Sequence, residues 1–274
     1  MKKLNLLFVV IMLFSNIMAQ DLSLFEVREA SDGNITMPYR ILFPENTKKG
    51  EKYPLFLFLH GNGMRGTDNE SQLKRGGFLF VDSQNRKNYP CIALYPQAPV
   101  TGAFDGYWAQ VNGEAIYGNR TELIQKYGEE NVKSCLSPYG LLTYDIIQQL
   151  IKQNIVDTDR IYISGSSMGG ITTYVFLSEY PDMFAAAGPI CGRADLGDIS
   201  KWAGKVPVWI FHGDEDDLIS VETARDVVEK LKELGATNYK YSEYKGVKHG
   251  SWTNAFAEPD YLNWFFSQSK TKNK

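Results

Sequence analysis

Three residue types, met in one chain order, carry the chemistry of this sequence. Ser167 stands at the centre of Gly165-Ser166-Ser167-Met168-Gly169, a G-x-S-x-G pattern that follows an apolar run and opens a helical one. A serine hydroxyl is a weak nucleophile until a base takes its proton. A strand, a sharp turn and a helix in succession lift such a hydroxyl to the edge of a sheet, with a helix N-terminus behind it that favours developing negative charge. The flanking glycines allow neighbouring backbone to pass close to that turn. Ser166 competes for the role, but only Ser167 lies centrally between the two glycines.

The base must come from three histidines. His60 and His212 each end an apolar run and precede a glycine, a setting that shapes a loop more often than it moves a proton. His249 lies in Gly246-Val247-Lys248-His249-Gly250, after the last strand pattern, and completes the order nucleophile, acid, base. The acid is expected in His212-Gly213-Asp214-Glu215-Asp216-Asp217, where a carboxylate would orient the imidazole and stabilise its protonated form. Spacing alone leaves Asp214, Asp216 and Asp217 open. An oxyanion needs two backbone N–H donors, expected from Met168 and from Asn62 in His60-Gly61-Asn62-Gly63, with Gly63 as the alternative. Taken singly, a loop histidine, an acidic turn and a Gly-rich turn are all ordinary surface features. Together they fit nucleophilic acyl transfer.

Elements that could position these residues recur along the chain. Short apolar runs at 38–43, 55–59, 91–95, 160–164, 185–190, 206–211 and 239–244 read as strands, several apolar on consecutive positions as in a parallel sheet covered on both faces. Helical patterns lie between them: Leu141, Leu142, Ile146 and Leu150 form one apolar stripe, and 171–180 continues the alternation. A helix over 221–234 is expected to start after Ser220 and stop at Gly235, and a last one to run over about 259–267. The order predicts an α/β fold with a mainly parallel sheet and helices on both faces.

Composition excludes several classes. With 43% hydrophobic and 22% charged residues the chain has globular proportions, and its net charge of -3 gives no basic footprint for nucleic acid. HExxH and phosphate-loop patterns are absent, so no metal or other cofactor is expected. Three cysteines are too few for a disulfide scaffold; Cys91 reads as a core thiol, and Cys135 with Cys191 is left open as a pair. Lys2 and Lys3, the apolar run from Leu6 to Phe14 and small Ala19 follow the order of a secretory signal peptide over 1–19. That run falls short of the roughly 20 residues needed to span a bilayer. A single domain over 20–274, periplasmic or secreted and without stable membrane insertion, is therefore expected.

One stretch breaks the rhythm. Residues 101–138 are polar and Gly-rich, with aromatic residues at Phe104, Tyr107, Trp108, Tyr117 and Tyr127. A connection this long is either functional, as a lid or substrate-binding insertion, or a solvated excursion. Trp108 from this insertion and Trp252 beside His249 are candidate walls of a pocket for an aromatic or glycosyl ester, with core packing as the competing role.

The segments PLFLFLHGNGMRGTDN, YPQAP, DRIYISGSSMGG, YPDMFAAAGPICG, VPVWIFHGDEDDLIS and YKGVKHGSW resemble the bacterial predicted peptidase and phospholipase/carboxylesterase branch of the α/β-hydrolases. That branch lies near feruloyl-esterase-like and polyhydroxybutyrate-depolymerase-like secreted esterases. The resemblance spans roughly 35–268. It implies the α/β-hydrolase fold and selects Asp216, four positions after His212, as the acid; KHGSW matches the catalytic-histidine loop and supports His249. Asp217 and Ile219 depart from the usual proline and valine, and the stretch 101–138 departs in length. The expected activity is hydrolysis of a small-molecule or glycosyl carboxylic ester. The rivals are a serine peptidase of prolyl-oligopeptidase type, whose gating propeller a chain of 274 residues is expected to lack, and a non-catalytic binding protein on the same scaffold.

Overall fold

The computed structural model describes residues 21–100, 106–117, 119–132 and 134–271. The expected signal peptide and Phe104 lie outside the described residues. Strands β1 (Glu26–Ser31), β2 (Thr36–Leu42), β3 (Tyr53–Leu59) and β4 (Ile92–Pro96) come first, followed by a short hairpin of β5 (Gln110–Val111) and β6 (Glu114–Ala115). Then come β7 (Val156–Ser166), β8 (Ala186–Ile190), β9 (Val208–Gly213) and β10 (Tyr239–Tyr244). The helices are α1 (Gly77–Val81), α2 (Ser83–Asn88), α3 (Arg120–Tyr127), α4 (Pro138–Lys152), α5 (Met168–Glu179), α6 (Glu222–Glu233), α7 (Trp252–Phe256) and α8 (Tyr261–Ser267).

The large sheet has eight strands in the order β1-β2-β4-β3-β7-β8-β9-β10. β1 to β2 and β2 to β4 are antiparallel, and every later pairing in the sheet is parallel. The sequence explains the difference. Central β3 (YPLFLFL) is buried on all but its first residue, because both of its faces meet helices. Edge strand β1 (EVREAS) is almost wholly exposed and charged, which keeps an open edge from pairing with another chain.

Alternate residues of β3 divide the core in two. Leu55, Leu57 and Leu59 face one hydrophobic cluster with Ile146, Ile147 and Phe176, whereas Phe56 and Phe58 face another with Phe80, Tyr95 and Phe265. Each such fully buried side chain stabilises the fold by roughly 1.5–3 kcal/mol relative to exposure. Helix α4 starts cleanly because Ser137 accepts from the Gly140 N–H at 3.1 Å and Pro138 occupies its first turn. The expected terminal helix is α8, and the short helix α7 before it was not expected. No described helix is long and apolar enough to cross a membrane.

The described residues of the insertion are built into the fold. Val111, Ile116, Leu123, Val132 and Leu136 join the core cluster on the α4 side of the sheet. Arg120 pairs with Asp198 at 3.1 Å, and the Thr121 hydroxyl donates to Asp195 at 2.8 Å. Glu179, on the last turn of α5, accepts from the Ser134 hydroxyl and from the Cys135 N–H.

Candidate active site

The turn between β7 and α5 holds Ser167 at φ 57° and ψ -116°. A non-glycine residue there carries backbone strain of order 1–3 kcal/mol, kept only where the surroundings over-determine it. Those surroundings are close-packed backbone. A Cβ on Gly169 would fall 1.9 Å from the Leu59 carbonyl oxygen, and one on Gly165 would fall 2.4 Å from the Gly169 carbonyl oxygen. Both glycines of the pattern are therefore required by approach distance. The Ser167 N–H donates to the Ile190 carbonyl at 2.9 Å, tying the strained residue to the end of β8.

His249 and Asp216 converge on this turn from the ends of β10 and β9. His249 Nε2 lies 2.8 Å from Ser167 Oγ, and its Nδ1 lies 2.8 and 3.0 Å from the two Asp216 oxygens. An ionised carboxylate only accepts, so Nδ1 carries the hydrogen and Nε2 presents a lone pair to the serine hydroxyl. The Asp216 side chain is fully buried, and its Oδ1 also accepts from the Leu218 and Ile219 N–H groups, each at 2.9 Å. Burial acts to raise its pKa. The hydrogen bonds from His212, His249, Ile219 and Leu218 outweigh that and hold the carboxyl well below the usual range.

The neighbouring acids have other positions. Asp214 accepts from the Gly246 N–H at 2.6 Å, bracing the loop that carries His249. Asp217 is mostly exposed and lies 3.7 Å from Lys248. His212 is buried, with Nε2 2.8 Å from the Ile219 carbonyl and 3.2 Å from Asp216. It was read from the sequence as a corner of the loop, and the structure adds that its N–H is shared with the acid.

The loop after β3 lies on the elbow. A Cβ on Gly61 would be 3.1 Å from the Ser166 carbonyl and 3.4 Å from Ser167 Cβ. Met168 is the first residue of α5 and Asn62 the first of a short 3-10 turn, Asn62–Met64. Among the described hydrogen bonds, neither of their N–H groups donates to a carbonyl. The loop is braced from behind by residues that sequence reasoning missed. The Gln97 amide donates to Met64 O at 3.1 Å and to Asp68 at 2.7 Å and accepts from the Asn69 N–H at 2.7 Å. The signal for Gln97 was the YPQAP segment, whose glutamine directly follows β4.

The two tryptophans separate. Trp252 is partly exposed, with its ring edge-on to the His249 ring at 5.8 Å between centroids. Trp108 is fully buried, so the expectation that it lines an open substrate pocket is corrected. Its indole packs on the His60 ring at 4.9 Å and its N–H donates to the His60 carbonyl at 3.2 Å. A large apolar body with one donor is well suited to that buried role.

All three cysteines are free and buried. The Cys191 thiol, the Asp216 carboxylate and a His249 ring nitrogen lie within 4.8 Å of one another, a separation compatible with metal ligation. The carboxylate is engaged by His249, and burial is the chief cause that pushes the thiol up to about 12.

Residues 143–203, which contain the Ser167 turn, match the model of the prolyl oligopeptidase family. The chain is 32% identical to a solved thermostable esterase, with a TM-score of 0.77 over 90% of this chain and 64% of that one. It is 25% identical to carboxylesterase SOBER1 of Arabidopsis thaliana over 70% of this chain and 82% of the relative. A further stretch of 88 residues, 32% of this chain, is 33% identical to a bifunctional acetylxylan esterase/xylanase of Neocallimastix patriciarum and spans 13% of that protein. The sheet order, the strained turn and the likeness to the thermostable esterase show the α/β-hydrolase fold, and the chain is similar to esterases that share it.

Proposed function

We propose that the protein is an exported serine esterase that cleaves carboxylic esters of small molecules or carbohydrate through Ser167, His249 and Asp216. The observation that carries this reading is the unbroken line of hydrogen bonds from Ser167 Oγ through His249 to buried Asp216, at 2.8 Å and 2.8 Å. Ser167 attacks the ester carbonyl while His249 Nε2 takes its proton, and Asp216 stabilises the imidazolium. Met168 and Asn62 N–H groups hold the oxyanion, in a role each worth roughly 3–4 kcal/mol in related chemistry. The alcohol leaves with the proton from His249, and a water activated by the same nitrogen then releases the acid. The likeness to an acetylxylan esterase supports a glycosyl ester as substrate. The Lys2, Lys3 and Leu6–Phe14 pattern supports export.

The test is fluorophosphonate labelling of the purified protein with peptide mapping, beside Ser167→Ala. A single adduct on Ser167 that the variant lacks is expected; folded protein that takes no adduct would overturn the reading. The match to the prolyl oligopeptidase model favours a peptidase as the second reading. Turnover of 4-nitrophenyl acetate without cleavage of aminoacyl 4-nitroanilides separates the two.

A further inference from the structure

Beside the triad stands an arginine held over an aromatic ring. Arg75 lies on the segment between a 3-10 turn at Ser71–Lys74 and α1, partly buried, with its guanidinium 4.0 Å above the Trp252 ring. That same ring meets His249 edge-on. Three other partly buried arginines bond to carbonyls or carboxylates. Arg40 donates to the Asn69 and Phe25 carbonyls, Arg86 pairs with Glu45 at 2.7 Å, and Arg120 pairs with Asp198. Arg75 makes no described hydrogen bond to a carbonyl or carboxylate. Partial burial is the chief cause that lowers its pKa from the usual arginine value. A guanidinium carries five N–H donors in a planar fork, and partly exposed Arg75 can present them to an acceptor that enters beside the triad.

The position also selects which part of a substrate would meet it. His249 must hand its proton to the departing oxygen, so the leaving group lies against the imidazole. Trp252 flanks that imidazole, and Arg75 covers Trp252. We infer that Arg75 and Trp252 form a leaving-group subsite for an alcohol that carries a carboxylate, with Trp252 as its floor and Arg75 as the fork that binds the anion. This rests on the ester-hydrolase reading and deepens it: the preferred esters are those of acidic alcohols, such as an acylated sugar acid or a hydroxy acid. Stacking on Trp252 leaves the N–H edges of the fork free while holding its plane, so the anion is met by a preorganised group.

The experiment compares 4-acetoxybenzoate with 4-acetoxybenzamide, which share the acetyl group and differ in the charge of the phenol released. Each kcat/KM is normalised to the ester's own rate of alkaline hydrolysis. Wild type is expected to prefer the carboxylate. Arg75→Gln is expected to lower the carboxylate-to-amide ratio at least tenfold, and Arg75→Lys to retain part of the preference as a point charge without the fork. The wild-type ratio should also fall as ionic strength rises, which needs no variant. A ratio indifferent to salt, or equal in wild type and Arg75→Gln, overturns the subsite while leaving the esterase reading intact. Folded wild type that cleaves neither ester and takes no fluorophosphonate removes the esterase reading, and the subsite with it.

Discussion

Trp108 donates its indole N–H to the backbone carbonyl of His60 at 3.2 Å, so a residue of the insertion fixes the start of the loop that carries Asn62. His60 is held on its other sides as well. Its Nδ1 lies 2.8 Å from the Gly61 carbonyl and its Nε2 accepts from the Ala98 N–H at 3.0 Å. The end of β3, the segment after β4 and the insertion thus meet at one buried imidazole. What they position together is the Gly61-Asn62 backbone, packed on Ser167.

Trp108→Phe keeps most of the buried ring and deletes the donor, which leaves the His60 carbonyl short of one partner. Activity should fall several-fold to tenfold, through kcat with KM little changed, and by the same factor for aromatic and short aliphatic esters. Steady-state kinetics on both ester types check this. A rise in KM confined to aromatic esters would restore Trp108 to the pocket wall. Trp108→Ala should instead cost the fold about 3–5 kcal/mol in urea unfolding, as cavity-forming tryptophan truncations do.

The three aspartates after β9 should differ sharply in kinetics. Asp216→Asn keeps the shape but loses the acceptor that fixes the His249 tautomer, and kcat should drop by on the order of 10³–10⁴. Asp217→Asn removes an exposed charge 3.7 Å from Lys248 and should stay within about twofold of wild type. Asp214→Asn loosens the contact to the Gly246 N–H and should fall between the two. A kcat for Asp214→Asn below that of Asp216→Asn would reassign the acid.

How much of this could be read beforehand follows from what each residue's neighbours in sequence reveal. β3, β9 and the Ser167 turn were legible because consecutive apolar residues, glycines and a serine leave few alternatives. Strand β1 was not, since an edge strand with charges on both faces shows no alternation to detect. The hairpin β5–β6 and helix α3 were hidden for a related reason: their apolar positions are few, and they pack on elements distant in sequence, as Arg120 on Asp198 shows. Ser167, His249 and the acidic turn were found by type and order. Choosing Asp216 needed a resemblance, because the three carboxylates differ only in which way the folded loop aims them. Trp108 was misread on chemistry alone, as a tryptophan serves a pocket or a core equally well until burial is known.

Backbone strain at Ser167 gives a stability prediction that does not depend on substrate. Both Ser167→Ala and Ser167→Gly remove the nucleophile, and both should be inactive. Alanine retains a Cβ at φ 57°, whereas glycine adopts that conformation freely. Against the larger unfolded-state entropy of glycine, relief of strain should still leave Ser167→Gly more stable by about 1 kcal/mol. That corresponds to a Tm roughly 2–4 °C higher than for Ser167→Ala in a domain of this size. A lower Tm for the glycine variant would show that the turn stores no strain.

His60 should make stability fall with pH in a defined window. Burial is the chief cause that lowers its pKa from 6.5 to about 4, so the folded protein keeps the ring neutral where the unfolded chain would protonate it. Above about pH 6.5 neither state binds the proton, and the full stability is present. Between pH 6.5 and 4 only the unfolded state takes it up, so stability is lost as pH falls, by about 3 kcal/mol in all at 1.36 kcal/mol per pH unit. Below pH 4 both states are protonated and this loss levels off. His60→Gln can still donate and accept hydrogen bonds but cannot titrate, so it should be less stable than wild type at pH 7 and should lack this slope. Urea unfolding of both proteins at pH 7, 5.5 and 4 is the check. The gap between them should narrow steadily towards pH 4, because only wild type pays the cost of keeping an unprotonated imidazole at the foot of the loop that carries Asn62; parallel curves would mean that His60 protonates in place and that the loop tolerates its charge.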